Sequence, residues 1–506
     1  MKSRERKAST GSIGSIFMRI FNKKFEILNK FVYWHRLPFP LAVLNLIAIR
    51  NILRERNLHD TEKLAPADGP PDPDALFSRK ADGTYNDLRY PTMGMANARF
   101  ARNFPLEFTF PEKGHALMEP SPRKVSLELL TRDEFIPAKS LNVLAAAWLQ
   151  FMVHDWFNHG VNETENPIEI PLEEGDPWHE NPMRIDRTRR DSTRAPSESS
   201  LPPTFLNTAV HWWDGSQIYG STYERMKQLR SLEDGKLVVG DDGLLPIDPV
   251  TGVDITGFSE NWWIGLSVMH NLFTKEHNSI CDRLKAEYPT WSDEELYCHA
   301  RLVNGALMAK IHTVEWTPGI LNQPVLRFAM RGNWWGALGE RIYLKFGRVS
   351  DSEVFSGIMG SHAEHHTGIY AMTEEFAAVY RMHPLVPDDY SFRSVEGNRI
   401  LHETTFPEIA FAKARTAINN ISMRDVIYSL GTSNPGAITL HNFPRFLQRL
   451  ETPDGKIVDT AAIDIMRDRE RGVARYNEFR RQVHMPSIKS FREITANPEW
   501  ARQIED

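Results

Sequence analysis

Tyr380 and His383 stand three residues apart in "TEEFAAVYRMHPLVPD", the stretch from Thr373 to Asp388. Thr373 can cap the amides of a following helical turn, Glu374 and Glu375 suit its positive end, and Pro384 and Pro387 cannot continue it. The stretch therefore predicts a short helix that stops just after His383. A three-residue step turns about 300° at helical pitch, so phenol and imidazole would project from the same side. That pairing suits a metal-ligating imidazole with a phenol beside it. A core histidine and a core tyrosine that happen to be neighbours is the plainer alternative.

A second imidazole sits in "SLNVLAAAWLQFMVHDWFNHG". Gln150 and His154 are four residues apart and would share a helix face, where an imidazole beside an amide can relay protons and steady a peroxide. A satisfied core histidine would fit as well. Asp155 follows at once. In "HWWDGSQIYGS", Asp214 and Ser216 lie in a Gly-containing loop that can fold oxygens around a hard cation. With Asp155 they could hold Ca²⁺ and pin the loop to the helix of His154, although a turn stabilised by Asp214 alone is the simpler reading. His312 and Thr317 flank "HTVEWT", with Pro318 closing the helix. They could hydrogen-bond a carboxylate, or only cap the helix terminus.

The elements that must position these residues read as mainly α. Ser140 is the expected cap and Gly160 the expected stop of the helix bearing His154. Two more helices are expected around "LSVMHNLFTKEHNSICDRLKAEY" and "SDEELYCHARLVNGALMAKIHTVEW", the second opening with a Ser292–Glu295 capping box. Glu163 to Thr204, rich in Pro, Glu, Arg and Ser, predicts a long surface excursion. The best hairpin candidate is "GKLVVGDDGLLPI".

With 506 residues, 41% hydrophobic and 25% charged, the chain has the composition of a globular protein with a sizeable core. Cys281 and Cys298 supply neither a disulfide framework nor a zinc site, which favours a reducing compartment. No apolar run reaches the length of a membrane span, "PLAVLNLIAI" being too short, and Arg19, Lys23 and Lys24 interrupt any secretory signal. A cytoplasmic or peripherally membrane-associated location is expected. Residues 1–60 hold 12 Lys or Arg against 4 Asp or Glu, a local +8 in a chain of net −6. This basic, apolar arm either lies on an anionic membrane surface or docks on the domain as a solvated helix. "APADGPPDPD", Ala65 to Asp74, reads as a linker. The expected division is an arm and linker over 1–75 and a catalytic domain over 76–506. The acidic bulk argues against a nucleic-acid partner.

Six stretches in this order, "AWLQFMVHDWFNH", "WWDGSQIYGS", "FTKEHNSICDRLKAEYP", "IHTVEWT", "EEFAAVYRMHPLVPD" and "RDRERGVARYNEFRR", resemble the haem peroxidase and cyclooxygenase superfamily, and within it the fatty acid α-dioxygenases. The resemblance implies an animal haem-peroxidase-like helical domain with long irregular loops and few short strands. It implies one non-covalent haem b, with His383 as proximal ligand, His154 as distal histidine and Gln150 beside it. Tyr380 matches the tyrosine oxidised to a radical. Asp155, Asp214 and Ser216 match calcium ligands, with main-chain oxygens from Val210 and Trp212. His312 and Thr317 match positions that hold the substrate carboxylate. The implied partners are a fatty acid, O₂ and hydrogen peroxide. The tyrosyl radical would take hydrogen from the carbon next to the carboxylate, and O₂ would add there to give a 2-hydroperoxy acid.

Three features depart from the family pattern. Val210 stands where threonine is usual, which removes a calcium-binding hydroxyl. The sequence ends shortly after "YNEFRR", where α-dioxygenases continue into a segment bearing a carboxylate-binding arginine. Without it about 1.5–3 kcal/mol of charged hydrogen bonding would be missing. "HAEHH", His362 to His366, falls outside the pattern and reads as loop. Two rivals follow. A small-molecule or halide peroxidase would tie its haem through two carboxylates, but Val153 and Trp262 occupy those positions, with Glu260 close by. A non-catalytic family member would keep the fold and lose the chemistry. Asp464 lies near where animal peroxidases place a group that hydrogen-bonds the proximal histidine.

Overall fold

The computed structural model describes residues 13–61, 64, 78–361, 369–417 and 421–506. The linker at 65–74 and the "HAEHH" stretch lie outside these. The helices that matter for the site are α1 (Ile13–Asn29), α2 (Phe39–Arg56), α3 (Leu144–Trp156), α4 (Ile264–Glu287), α5 (Asp293–Ile311), α6 (Pro324–Trp335), α7 (Glu374–Val379) and α8 (Thr460–Glu470). A π-helical turn, His312–Trp316, extends α5.

Helix α3 is mostly apolar and buries even His154 and Asp155, so it can only be stable when surrounded. Phe151 stacks on Phe273 of α4 (5.4 Å, 22°) and meets His270 edge-on (4.8 Å). Trp156, Trp262, Trp263 and Phe392 complete a core with almost no solvent contact. The helix begins at Leu144 with Val143 in the cap position, not at Ser140, and ends at extended Phe157 before Gly160. Ser140 lies too far out because residues 141–143 enter by a turn, with Val143 N donating to Leu430 O. The Ser292–Glu295 capping box forms as expected.

Among the described residues the strands form only two-stranded antiparallel ladders: β1 (Ala98–Arg99) with β4 (Leu206–Asn207), β2 (Glu163–Ile170) with β3 (Met183–Arg187), β5 (Asp389–Arg393) with β6 (Ile400–Thr405), and β7 (Leu450–Glu451) with β8 (Ile457–Val458). The β2–β3 hairpin occupies the segment expected to be a surface excursion. Its Ile168, Ile170, Met183 and Ile185 bury themselves against Ala462 and Met466 of α8. The acidic residues and Pro167 concealed this strand, since proline normally argues against one. "GKLVVGDDGLLPI" forms no hairpin. It turns at Gly240–Leu244, and Leu237 and Ile247 instead make isolated bridges to Arg230 and Asp254.

The N-terminal arm docks. Asn29 and Asn45 exchange amide hydrogen bonds between α1 and α2, and Arg50 and Arg54 of α2 both reach Glu353. Its outer face is a different matter: Phe17, Ile20, Phe31 and Leu41 remain exposed, alongside Phe328, Leu344 and Phe346 of the neighbouring 324–346 segment. No described helix is long and apolar enough to cross a membrane.

Six histidines are buried so deeply that desolvation holds them neutral: His154 at about 3, His159, His211, His277 and His312 at about 4, and His270 well below its usual value. In the unfolded chain each would take up a proton near pH 6.5. The unfolded state therefore binds more protons below that pH, and stability falls as pH drops from about 6.5 towards 4. Denaturant midpoints measured at pH 7, 6 and 5 should decrease steadily; equal midpoints would contradict this burial.

Candidate active site

Thr373 caps α7, its Oγ1 accepting from Phe376 N at 3.2 Å, as the sequence predicts. The helix ends earlier than expected. It stops at Val379, Tyr380 is its C-cap, and His383 belongs to a separate 3₁₀ turn, His383–Leu385. The cause is Pro384, whose ring has no N–H for the carbonyl of Tyr380 four residues earlier and would collide with it. Tyr380 and His383 are thus not stacked on one helix. Each is aimed by its own surroundings.

Tyr380 enters an aromatic box. Phe376 stacks on it (4.3 Å), Trp156 of α3 meets it edge-on (5.3 Å), and Trp316 lies parallel at 6.4 Å. Its Oη is 3.5 Å from His312 Nε2, and burial raises its pKa. His312 is held from the other side by Trp148, whose indole N–H donates to Nδ1 at 3.3 Å. Thr317 Oγ1 donates to His312 O at 2.8 Å, the local bonding that closes the π-helical turn.

His383 Nδ1 lies 2.8 Å from Asp464 Oδ2 of α8. The contact is short but off the N–H direction, since Nδ1 makes no aligned hydrogen bond. Arg381 Nη1 grips the other carboxylate oxygen at 2.5 Å. Burial would raise the Asp464 pKa, but His383 and Arg381 outweigh it and hold the carboxyl at about 2. Nδ1 is buried while the ring as a whole is 35% exposed, so the open side of His383 is its Nε2 edge.

His154 lines a cavity of about 1070 Å³ together with Asn158, Phe258, Glu260, Asn261 and Trp262. Burial raises the Glu260 pKa. Gln150 is tied elsewhere: its Nε2 donates to Asn261 O (3.0 Å) and its Oε1 accepts from Trp263 Nε1 (2.8 Å).

Asp155 and the 210–216 loop do come together. Gly215 adopts φ 80°, where a Cβ would strike the Tyr219 ring, and this turn directs Ser216 N and Oγ onto Asp155 Oδ1 at 2.6 and 3.0 Å. Asp214 Oδ2 accepts from Arg301 Nη2 (3.1 Å), while its buried Oδ1 has no partner. Burial, and for Asp155 the charge of Asp214, pushes both carboxyls upward. Val210 is buried, and Trp212 Nε1 donates to Met93 O at 2.9 Å. Among the described residues no three His, Cys, Asp or Glu side chains gather closely enough to hold a metal. Cys281 and Cys298 are buried and unbridged.

The animal haem peroxidase model matches residues 78–506. The chain belongs to that family. Within the haem peroxidases it is similar to α-dioxygenases over nearly its whole length. It is 36% identical to the alpha-dioxygenase PIOX of Oryza sativa subsp. japonica, covering 97% of this chain and 79% of that protein. It is 35% identical to alpha-dioxygenase 2 of Arabidopsis thaliana, covering 95% and 77%. The solved fatty acid alpha-dioxygenase of Arabidopsis thaliana superposes with a TM-score of 0.88 at 33% identity, over 97% of this chain and 78% of that one. A tyrosine-to-phenylalanine variant of the Oryza sativa enzyme, solved with palmitic acid, gives 0.87 at 35% identity, over 98% and 82%. The helical architecture of this haem peroxidase, with its few short ladders, is the fold the sequence predicts.

Residue spacing alone does not predict the aromatic box or the Arg381 clamp. Their signals were present: Trp148 and Trp156 share the helix of Gln150 and His154, and Arg381 lies between Tyr380 and His383.

Proposed function

We propose that this haem peroxidase is a fatty acid α-dioxygenase in which Tyr380 is the hydrogen-abstracting residue. The observation that carries this reading is the placement of the Tyr380 hydroxyl, in an otherwise aromatic box, against His312. Of the indoles around that oxygen, Trp316 spends its N–H on Ala145 O and Trp156 keeps a buried, unpartnered one, while the imidazole beside it can hold a carboxylate.

The residues fit a haem. His383 offers an open Nε2 edge backed by Asp464, and His154 faces a large cavity. Bound there without a covalent link, haem b would supply the one-electron oxidant, with hydrogen peroxide as its source of oxidising equivalents. His154, kept neutral by burial, can accept the proton of a peroxide. Gln150, tied to Asn261 and Trp263, fixes the wall behind that imidazole rather than pointing into the cavity. His312 would hold the fatty acid carboxylate, with Thr317 contributing once its hydroxyl turns away from His312 O. An anchored carboxylate brings only its neighbouring carbon to the Tyr380 oxygen, which is why C2 reacts. With one electron given to that oxidant and its phenol proton released to water, the Tyr380 phenoxyl oxygen takes the C2 hydrogen, O₂ adds to the carbon radical, and the peroxyl radical recovers hydrogen from Tyr380. The product is a 2-hydroperoxy acid, and the tyrosyl radical is regenerated.

A calcium ion fits the 210–216 loop. The unpartnered Asp214 Oδ1 and the mutually repelling Asp155 and Asp214 need a cation, and Ser216 Oγ with the main-chain oxygens of Val210 and Trp212 would complete an all-oxygen set. The exposed apolar face of α1, α2 and 324–346 carries Arg19, Lys23, Lys24, Arg327 and Lys345 among its residues, which suits peripheral contact with an anionic bilayer. On this reading residues 1–75 are a basic arm and a Pro-rich linker, and 76–506 the catalytic domain. Glu260 in the cavity wall is what favours the alternative, a peroxidase with ester-linked haem. Acid–acetone extraction that leaves haem on the protein would support it.

Three outcomes are expected. Tyr380→Phe should lower fatty-acid-dependent O₂ uptake at least 100-fold while peroxide-driven dye oxidation survives; equal uptake would remove Tyr380 from the chemistry. Chelation with EDTA should lower the Tm by several degrees, and Ca²⁺ but not Mg²⁺ should restore it. Phe17→Ser with Phe31→Ser should abolish sedimentation with phosphatidylserine vesicles that the parent protein shows at low salt; unchanged sedimentation would place the contact elsewhere.

A further inference from the structure

The hydrogen-bond chain Trp148–His312–Tyr380 assigns a proton. An indole nitrogen is a donor only, so Trp148 Nε1–H, 3.3 Å from His312 Nδ1, requires that nitrogen to be the bare acceptor. Burial keeps the ring neutral, at about 4. A neutral imidazole carries one proton, which must then sit on Nε2, the nitrogen facing Tyr380 Oη at 3.5 Å.

We infer that Trp148 is a positioning residue for the reaction: it locks His312 as the Nε2–H tautomer, so that one neutral N–H donor faces both the Tyr380 oxygen and the substrate carboxylate. This deepens the dioxygenase reading and rests on it. Of the other indoles around His312, Trp316 donates its N–H to Ala145 O at 3.0 Å, while the Trp156 N–H is buried without a partner. Trp316 stacks on the ring (4.7 Å), and Trp156 and Trp213 meet it edge-on (4.9 and 5.2 Å). Trp148 is itself held rigidly, 5% exposed and packed against Phe151 and Phe273.

The lock has two chemical consequences. Once Tyr380 has lost its hydrogen its oxygen can only accept, and the His312 N–H supplies a donor. The 3.5 Å contact is longer than a well-formed N–H···O bond, so the same N–H can be shared with an incoming carboxylate oxygen. In the other tautomer a bare Nε2 lone pair would face that carboxylate and two N–H groups would collide at Trp148. The lock also means that His312 does not take the phenol proton when Tyr380 is oxidised, because Nε2 already carries one; that proton leaves to water.

The test is ENDOR spectroscopy of the radical trapped after peroxide is added to haem-loaded enzyme, prepared in H₂O and in D₂O. The wild-type tyrosyl radical should show a hydrogen-bond proton coupling that D₂O removes. Trp148→Phe should form the radical without that coupling and raise the fatty acid KM at least tenfold, with a smaller change in kcat. A wild-type tyrosyl radical with no exchangeable coupling would overturn the assignment even if Trp148→Phe failed to fold. So would a coupling unchanged in Trp148→Phe. Absence of any tyrosyl radical from the wild type would instead remove the dioxygenase reading, and this inference with it.

Discussion

A proline ring cannot occupy the space that a helical carbonyl four residues earlier requires, and Pro384 stands four residues after Tyr380. The chain must therefore leave the helix at Tyr380 and resume in a 3₁₀ turn at His383. The break lets two neighbours in sequence serve different partners. The phenol turns into the aromatic box beneath α3, while the imidazole is braced by Asp464 of α8 and presents its other nitrogen to open space. Arg381, inside the break, grips Asp464 and so ties the turn to α8. A continuous helix would have left phenol and imidazole in a shared environment.

Desolvation shapes the rest of the site. Burial keeps His154 and His312 neutral at physiological pH. The same burial makes Asp155 and Asp214 costly side by side. Arg301 relieves only one oxygen of Asp214, and the other stays buried without a partner. At Asp464 the balance goes the other way, because two partners outweigh the loss of water and keep the carboxylate ionised behind His383.

Much of this was legible in the sequence because it was local. The Thr373 cap, the Ser292–Glu295 box and the helices bearing His154 and His312 follow from spacing and residue type. What escaped depends on distant contacts or on conflicting local signals. The β2–β3 hairpin forms despite Pro167 because α8 offers Ala462 and Met466 for its isoleucines. The helix ends four residues before His383 because Pro384 leaves the Tyr380 carbonyl without a donor and disfavours helical backbone at the residue before it. Trp148 could be seen only as another core aromatic until His312, 164 residues away, was placed against it.

The claim on which everything else rests is that a carboxylate held at His312 exposes C2 to Tyr380. The most direct measurement is product analysis by mass spectrometry after haem-loaded enzyme oxidises palmitic acid and its 2,2-dideuterated form with a trace of peroxide. The 2-hydroperoxide, or the aldehyde one carbon shorter, formed more slowly from the deuterated acid, is the predicted result. Oxygen inserted at any other carbon, or equal rates from both acids with an intact C2, would contradict it.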